Sequence, residues 1–212
     1  MSKSANAVTA WSWMAGAFVT ALALAAIALA VFGSGDRGTV QALRVTARWS
    51  FLLFWLAYAG GAMARLFGPR FDGLARRGRE FGLAFASAHL IHVWLLLWLF
   101  HITGKPPAGG SNLVFFSVGL VCTYLLALFS LPRLREALGP RLWRTFRTIA
   151  LEYIALVFAV DFILGPLQSV GLGKYPLSYL PFAVMLTVGA GLRIAALVQR
   201  PPKVVLRGVE AT

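Results

Sequence analysis

Two histidines, His89 and His92, lie inside a strongly apolar stretch that begins with G-R-E-F-G-L at Gly78. Because they are three residues apart, they share one face of a helix. A helix that enters a bilayer near Arg79 places them about 15 and 20 Å from that end, while His101 falls at the far interface. At such a depth a neutral imidazole either hydrogen-bonds a polar group of a neighbouring helix or binds a metal, for which a haem iron is the favoured candidate. Spacing alone leaves both interpretations open.

Two carboxylates, Glu152 and Asp161, lie in a second apolar stretch. An ionised acid at membrane depth is costly, so each is either a functional group or a protonated or ion-paired group that locks the bundle. Glu152 is expected to face cytoplasmic-side arginines or the middle of the histidine helix. Asp161 would reach His92 or His101 if the two helices are neighbours, and a carboxylate beside a histidine fixes its tautomer and raises its basicity.

The composition places these groups in a membrane protein. Of the 212 residues, 59% are hydrophobic and only 13% are charged, which is too few to cover a surface in contact with water. The net charge of +13 comes from short connectors without interleaved aromatic residues, a pattern that excludes nucleic-acid binding. The single cysteine, Cys122, forms neither an internal disulfide nor a cysteine-based metal site.

The sequence predicts an all-α fold, a six-helix transmembrane bundle that makes residues 1–212 one integral membrane domain. A span of lipid needs about 20 apolar residues, and a helix satisfies its own backbone hydrogen bonds there. The predicted spans are residues 9–32, 48–68, 80–101, 112–132, 145–167 and 177–198, followed by a short basic cytoplasmic tail, 199–212. The apolar core of the first span, Ala15 to Phe32, is longer than that of a cleaved signal, which favours a retained helix.

Basic residues predict the orientation of the bundle. They concentrate between spans 2 and 3, between spans 4 and 5, and in the tail: Arg65, Arg70, Arg76, Arg77, Arg79, Arg133, Arg135, Arg141, Arg144, Arg147, Arg200, Lys203 and Arg207. Both termini are therefore expected in the cytoplasm, with the protein in a bacterial inner (plasma) membrane. The first connector, to which we assign Arg37, Arg44 and Arg48, is also basic and does not fit this orientation. The connectors, among them the turn-forming 35–38, 105–110 and 138–140, leave no room for a soluble catalytic domain.

Two motifs resemble the ferric reductase-like transmembrane domain family. G-R-E-F-G-L-x8-H, from Gly78 to His92, is similar to the third helix of that family, and L-G-P-R-L-W-R-T-F-R, from Leu138 to Arg147, is similar to the start of its fifth. The family includes the haem-binding membrane subunit of bacterial methionine sulfoxide reductase and, more distantly, the NADPH oxidases. The resemblance covers roughly residues 40 to 198.

The resemblance implies a b-type haem held between histidines of helices 3 and 5. His92 matches the helix 3 ligand, but Arg147 and Val160 stand where the family has its helix 5 histidines. A haem with two histidine ligands from helices 3 and 5 is therefore not available. Three possibilities remain. In the first, the haem has one ligand, His92 or His89, and its other position is open or filled by a weaker group such as Asp161. In the second, the haem lies between two subunits of a homo-oligomer, and in the third it has been lost. Arg147 is a candidate partner for a haem propionate or a lipid headgroup.

Three functional hypotheses follow for this chain. The first is electron transfer through haem b to or from a redox partner protein, because the chain has no flavin or nicotinamide motif of its own. The second is a haem-free membrane scaffold or interaction subunit, and the third is a small proton-coupled transporter with a relay of histidines and acids. The sequence does not decide whether the protein is an enzyme, and the lipid bilayer is the partner that all three share.

Overall fold

The computed structural model describes residues 3–105, 109–170 and 176–199, which contain helices and no strand. Within these residues, six helical spans are long and apolar enough to cross a membrane: Val8–Phe32, Asp36–Phe67, Gly78–Thr103, Gly110–Phe129, Pro140–Gln168 and Leu180–Val198. The predicted all-α class is confirmed, and the six spans indicate an integral membrane protein. Residues 200–212 of the predicted basic tail lie outside the described residues.

Nine α-helices are present in the described ranges: α1 Lys3–Phe32, α2 Asp36–Phe67, α3 Asp72–Arg76, α4 Gly78–Thr103, α5 Gly110–Phe129, α6 Pro132–Leu138, α7 Pro140–Ala159, α8 Gly165–Val170 and α9 Leu180–Val198. The short helices α3 and α6 lie in the basic connectors, and α7, a π turn and α8 together make the fifth span. At Gly139, between α6 and α7, φ is +75°, a conformation that glycine adopts without strain.

The second span begins twelve residues earlier than the sequence predicted. Helix α2 starts at Asp36, so Arg37, Arg44 and Arg48 belong to the helix, and their assignment to a connector is wrong. The turn itself is confined to the segment before Asp36, where Gly33 ends α1 with φ of +89°. The apolar pattern missed these turns because arginine lowers the hydropathy of a window while remaining a good helix former.

Helix α4, which carries the histidines, packs mainly against α1 and α2. The face that α1 presents to the bundle carries the buried alanines Ala17, Ala21, Ala25 and Ala28. Small side chains let helix backbones approach closely, which is how helices associate when lipid provides no hydrophobic drive. Helix α9 packs against α2, and α5 packs against α7, so the fifth span stands across the bundle from α4.

The fifth span is interrupted by a π turn, Val160–Leu164, which contains Asp161. The amide of Gly165 bonds the carbonyl of Val160, five residues back, in place of the regular four-residue spacing. Pro166 follows and has no amide hydrogen to give an α-helical bond, which explains why the helix widens here. Turns of this kind occur frequently at functional positions.

Candidate functional site

A cavity of about 610 Å³ lies between α2, α4, α5 and the fifth span. Its volume falls within the range of about 300 to 1,000 Å³ that is usual for sites that bind small molecules or cofactors. The lining is mostly aliphatic and aromatic. The polar side chains in it are Arg44, Arg48, His89, His92, Ser117, Thr123, Asp161 and Tyr179. The cavity thus brings together both intramembrane histidines and one of the two acids that the sequence singled out.

His92 is held to α2 by Thr46, whose Oγ1 lies 3.2 Å from Nδ1 of the imidazole. The same oxygen lies 2.9 Å from the carbonyl of Ala42 and 3.1 Å from that of Leu43. A hydroxyl has one proton, so when Thr46 donates it to one of these carbonyls it accepts from Nδ1–H of His92. That tautomer would leave Nε2 of His92 with its lone pair, the state that binds a metal.

His89 stacks on His92, with the ring centroids 5.2 Å apart and the planes inclined by 16°. On its other side it contacts Phe85, at 5.5 Å between centroids. Nδ1 of His89 is buried and has no hydrogen-bond partner within the part of the chain that the structure describes. A buried nitrogen without a partner is costly, and it marks this end of the cavity as one suited to a polar ligand.

The wall opposite the histidines carries Asp161, within electrostatic range of Arg48. Arg48 is held against α9, its guanidinium carbon 5.4 Å from the ring centroids of both Tyr179 and Phe182. Arg44, one turn earlier on α2, also lines the cavity and makes no hydrogen bond or ion pair with a described residue. Among the charged side chains of the lining, two cations therefore face one carboxylate.

Asp161 shares the cavity with His92, but the structure records no hydrogen bond between them. His101 lies outside the cavity, near the end of α4, where its ring centroid is 5.7 Å from that of Trp98. The histidine available to bind a ligand in the cavity is thus His89 or His92.

Glu152 belongs to a separate polar network, away from the cavity. Its Oε2 accepts a 2.7 Å hydrogen bond from the Tyr58 hydroxyl, and its Oε1 pairs with Arg193 at 2.6 Å to Nη2 and 2.8 Å to Nε. Arg193 also donates to the Tyr58 carbonyl at 3.2 Å and lies 4.4 Å above the Tyr58 ring. Glu152 was expected to face the connector arginines or the middle of α4. Instead it joins α2, α7 and α9.

Arg147 does not line the cavity. It lies 14 residues before Asp161, which is about 21 Å along a helix, and within electrostatic range of Arg193. The sequence predicted either a haem propionate or a lipid headgroup as the partner of Arg147. Its distance from the histidine cavity favours the lipid headgroup.

The donor set decides which cofactors the cavity suits. Within the described residues no group of three or more His, Cys, Asp or Glu side chains is placed to hold a metal ion. A haem brings four nitrogen ligands of its own and needs only one or two from the protein. The imidazole of His92, the apolar lining and the two arginines fit such a group, whereas a second histidine on the opposite wall is missing.

The chain was also compared with known proteins. No family model, curated protein or solved structure matches it. The function is therefore inferred from the residues of the cavity and their geometry.

Proposed function

We propose that the protein is a membrane electron-transfer protein of the ferric reductase-like type, which binds one b-type haem in the cavity beside His92. The observation that carries this proposal is the open space next to an oriented imidazole. His92 has its Nδ1 engaged by Thr46 and lines a cavity of about 610 Å³ that reaches across to the fifth span. A gap filled by side chains, or a His92 ring turned toward acyl chains, would have opposed it.

When bound, haem supplies a one-electron redox centre. His92 would hold the haem iron, and Thr46 would fix the tautomer and orientation of its ring. Arg44 and Arg48 would supply the positive charge that the two propionates need inside the membrane. Asp161 is the one acid among the described residues of the lining, and it would be the group that accepts a proton or serves as a weaker second ligand.

Aromatic side chains give the lining of this cavity a low polarity. Phe85, Phe158 and Phe162 belong to a set of contacting rings, with Phe158 and Phe162 stacked at 5.7 Å and inclined by 6°. Low polarity strengthens the effect of the few charges that remain, so the two arginines and Asp161 have a strong influence on the redox potential. The proposal includes a redox partner protein, a bacterial inner-membrane location and cytoplasmic termini.

An absorption spectrum tests the proposal. Protein produced with added haem precursor and purified in a mild detergent should show a Soret band, and His92→Ala should remove it. His101→Ala is the matched control, since it deletes a histidine from the same helix outside the cavity. A colourless wild-type protein that is monodisperse and helical would overturn the proposal, as would a Soret band that survives His92→Ala.

The network of Tyr58, Glu152 and Arg193 favours a second candidate, a haem-free membrane scaffold. It ties three spans together without involving the cavity, as a purely structural polar network would. This candidate predicts a colourless, folded protein. A proton-coupled transporter is the third candidate, favoured by the shared cavity of His89, His92 and Asp161. It predicts a substrate-dependent proton flux that Asp161→Asn removes.

A further inference from the structure

The cavity beside His92 borders the outside of the bundle between α4 and α5. Leu97 on α4 and Leu113 on α5 both line the cavity, and they are 61% and 42% exposed. Ser117, one turn after Leu113, also lines the cavity and is also exposed. Side chains that belong to both surfaces form the rim of an opening. We name the rim formed by Leu97, Leu113 and Ser117 the α4–α5 portal.

The spacing of residues on α4 supports this assignment. Leu90 is seven residues before Leu97, which is about two turns, so the two side chains lie on nearly the same face. Leu90 is exposed and lies outside the cavity, so Leu97 continues a stripe that faces lipid. The other edge of the cavity-lining face of α4 adjoins Ala88 and Leu95, which are fully buried. The cavity is therefore closed on that side of α4 and bordered by lipid on the side of Leu97.

Helix α5 shows the same arrangement. One edge of its cavity-lining face carries the buried Gly119, where a Cβ would lie 2.8 Å from Cγ2 of Val157 on α7. Helix α7 thus closes the cavity on that side. The other edge carries Leu113 and Ser117, and beyond it Val114 is exposed and does not line the cavity. The open edges of α4 and α5 are both next to lipid-facing side chains, as expected for an opening between the two helices.

The portal lies toward the end of the bundle at which α4 ends and α2 and α5 begin. Leu97 is six residues before the end of α4, and Leu113 is three residues after the start of α5, about 9 and 5 Å along each helix. Arg44, which lines the cavity, is eight residues after the start of α2, or about 12 Å. The positively charged side of the cavity is therefore at nearly the same depth as the portal.

We propose that the α4–α5 portal admits haem to the cavity laterally, from the hydrocarbon layer of the membrane. Haem combines a flat apolar ring with two anionic propionates. The leucines of the portal match the ring, and Arg44 and Arg48 on another wall of the cavity match the propionates. The portal rests on the proposed function, and it adds to that function the route by which the cofactor is loaded.

The rate of haem binding tests the portal. The full chain, produced without haem, is reconstituted into liposomes, haem is added to the lipid, and the Soret band is followed with time. Leu97→Trp narrows the opening and should slow binding by about fivefold or more, whereas Leu97→Ala widens it and should accelerate binding. Leu113→Trp should also slow binding. Opposite effects at one position separate a change in the opening from general damage to the fold.

Leu90→Trp and Val114→Trp are the matched controls, because they place the same ring at exposed positions of the same helices outside the cavity. Each should change the rate by less than about twofold. Equal slowing by Leu97→Trp and Leu90→Trp would show a general effect of tryptophan and would overturn the portal. Rates in Leu97→Trp and Leu113→Trp that equal the wild-type rate would overturn it as well.

A second measurement tests the opening without haem. Phosphatidylcholine with a photoreactive diazirine on one acyl chain is mixed into the liposomes, and the labelled residues are mapped by mass spectrometry. Leu43 lines the cavity from α2 and is 8% exposed, so the cavity is the route by which an acyl chain reaches it. Labelling of Leu43 that Leu97→Trp removes supports the portal, and an unlabelled Leu43 overturns it. A wild-type protein that is labelled at Leu43 but binds no haem would overturn the proposed function and retain the lateral opening.

Discussion

Thr46 and His92 are joined across two helices, with 3.2 Å between Oγ1 of the threonine and Nδ1 of the imidazole. When the threonine proton is directed to a carbonyl of its own helix, the imidazole is the donor in this contact. The pair therefore fixes which nitrogen of His92 is available to the cavity.

Thr46→Val tests the orienting role of this contact, because it keeps the shape of the side chain and removes the acceptor for Nδ1–H. We expect the affinity for haem to fall by about 10- to 100-fold, the usual effect of losing a hydrogen bond that orients a ligand. Thr39→Val is the control, since Thr39 is also buried on α2 and bonds a carbonyl four residues back, but lies two turns away. Haem titration followed at the Soret band measures both; equal affinities in the two variants would contradict the assigned role.

Arg44→Gln and Arg48→Gln test the electrostatics of the cavity. Reduced haem has one positive charge less than oxidised haem, so a nearby cation stabilises the reduced form. Each substitution should therefore lower the midpoint potential of the haem, and each should also weaken haem binding. Arg37→Gln, at the exposed first turn of α2, should change neither quantity. Spectroscopic redox titration gives the potentials, and an unchanged potential in both cavity variants would be evidence against propionate or haem contacts by these arginines.

The sequence predicted the fold class and the number of spans, because apolar length is a strong signal in a membrane protein. It failed at the start of α2, where Arg44 and Arg48 made a helix resemble a connector. Both residues line the cavity, so the error concealed its cationic side. A helix that carries arginines along a cavity has no simple hydropathy pattern, and only the packing of its neighbours shows which way the charge faces.

The role of Glu152 shows a second limit of sequence reasoning. The sequence indicates the depth of Glu152 in the membrane, but its partner Arg193 lies 41 residues away on another span. Intramembrane arginine in α9 was a visible signal that could have suggested an ion pair. The choice between Arg193 and the connector arginines depends on which helices are neighbours, and α9 packs against both α2 and α7.

Glu152→Gln tests the structural role of that network. The substitution removes the charge that pairs with Arg193 and weakens the bond from Tyr58, so the free energy of unfolding should fall by about 1–2 kcal/mol, allowing for the partial exposure of the pair. Asp161→Asn is the control, because Asp161 lies on the same span and forms no ion pair with a described residue. Thermal unfolding in detergent followed by circular dichroism distinguishes them. A larger loss in Asp161→Asn would mean that the cavity, and not this network, stabilises the bundle.

Gly189 and Gly191 provide a matched test of the contact between α2 and α9. A Cβ at Gly189 would lie 2.8 Å from Nε1 of Trp55, whose indole donates a 2.6 Å hydrogen bond to the Met185 carbonyl, whereas a Cβ at Gly191 meets nothing within 4 Å. Gly189→Ala should destabilise the protein by about 1–3 kcal/mol, because either the indole moves and strains its bond or the helices separate. Gly191→Ala should be neutral or stabilising by up to about 1 kcal/mol, since alanine favours a helix. Unfolding midpoints that change equally in both variants would show that α9 does not approach Trp55 closely.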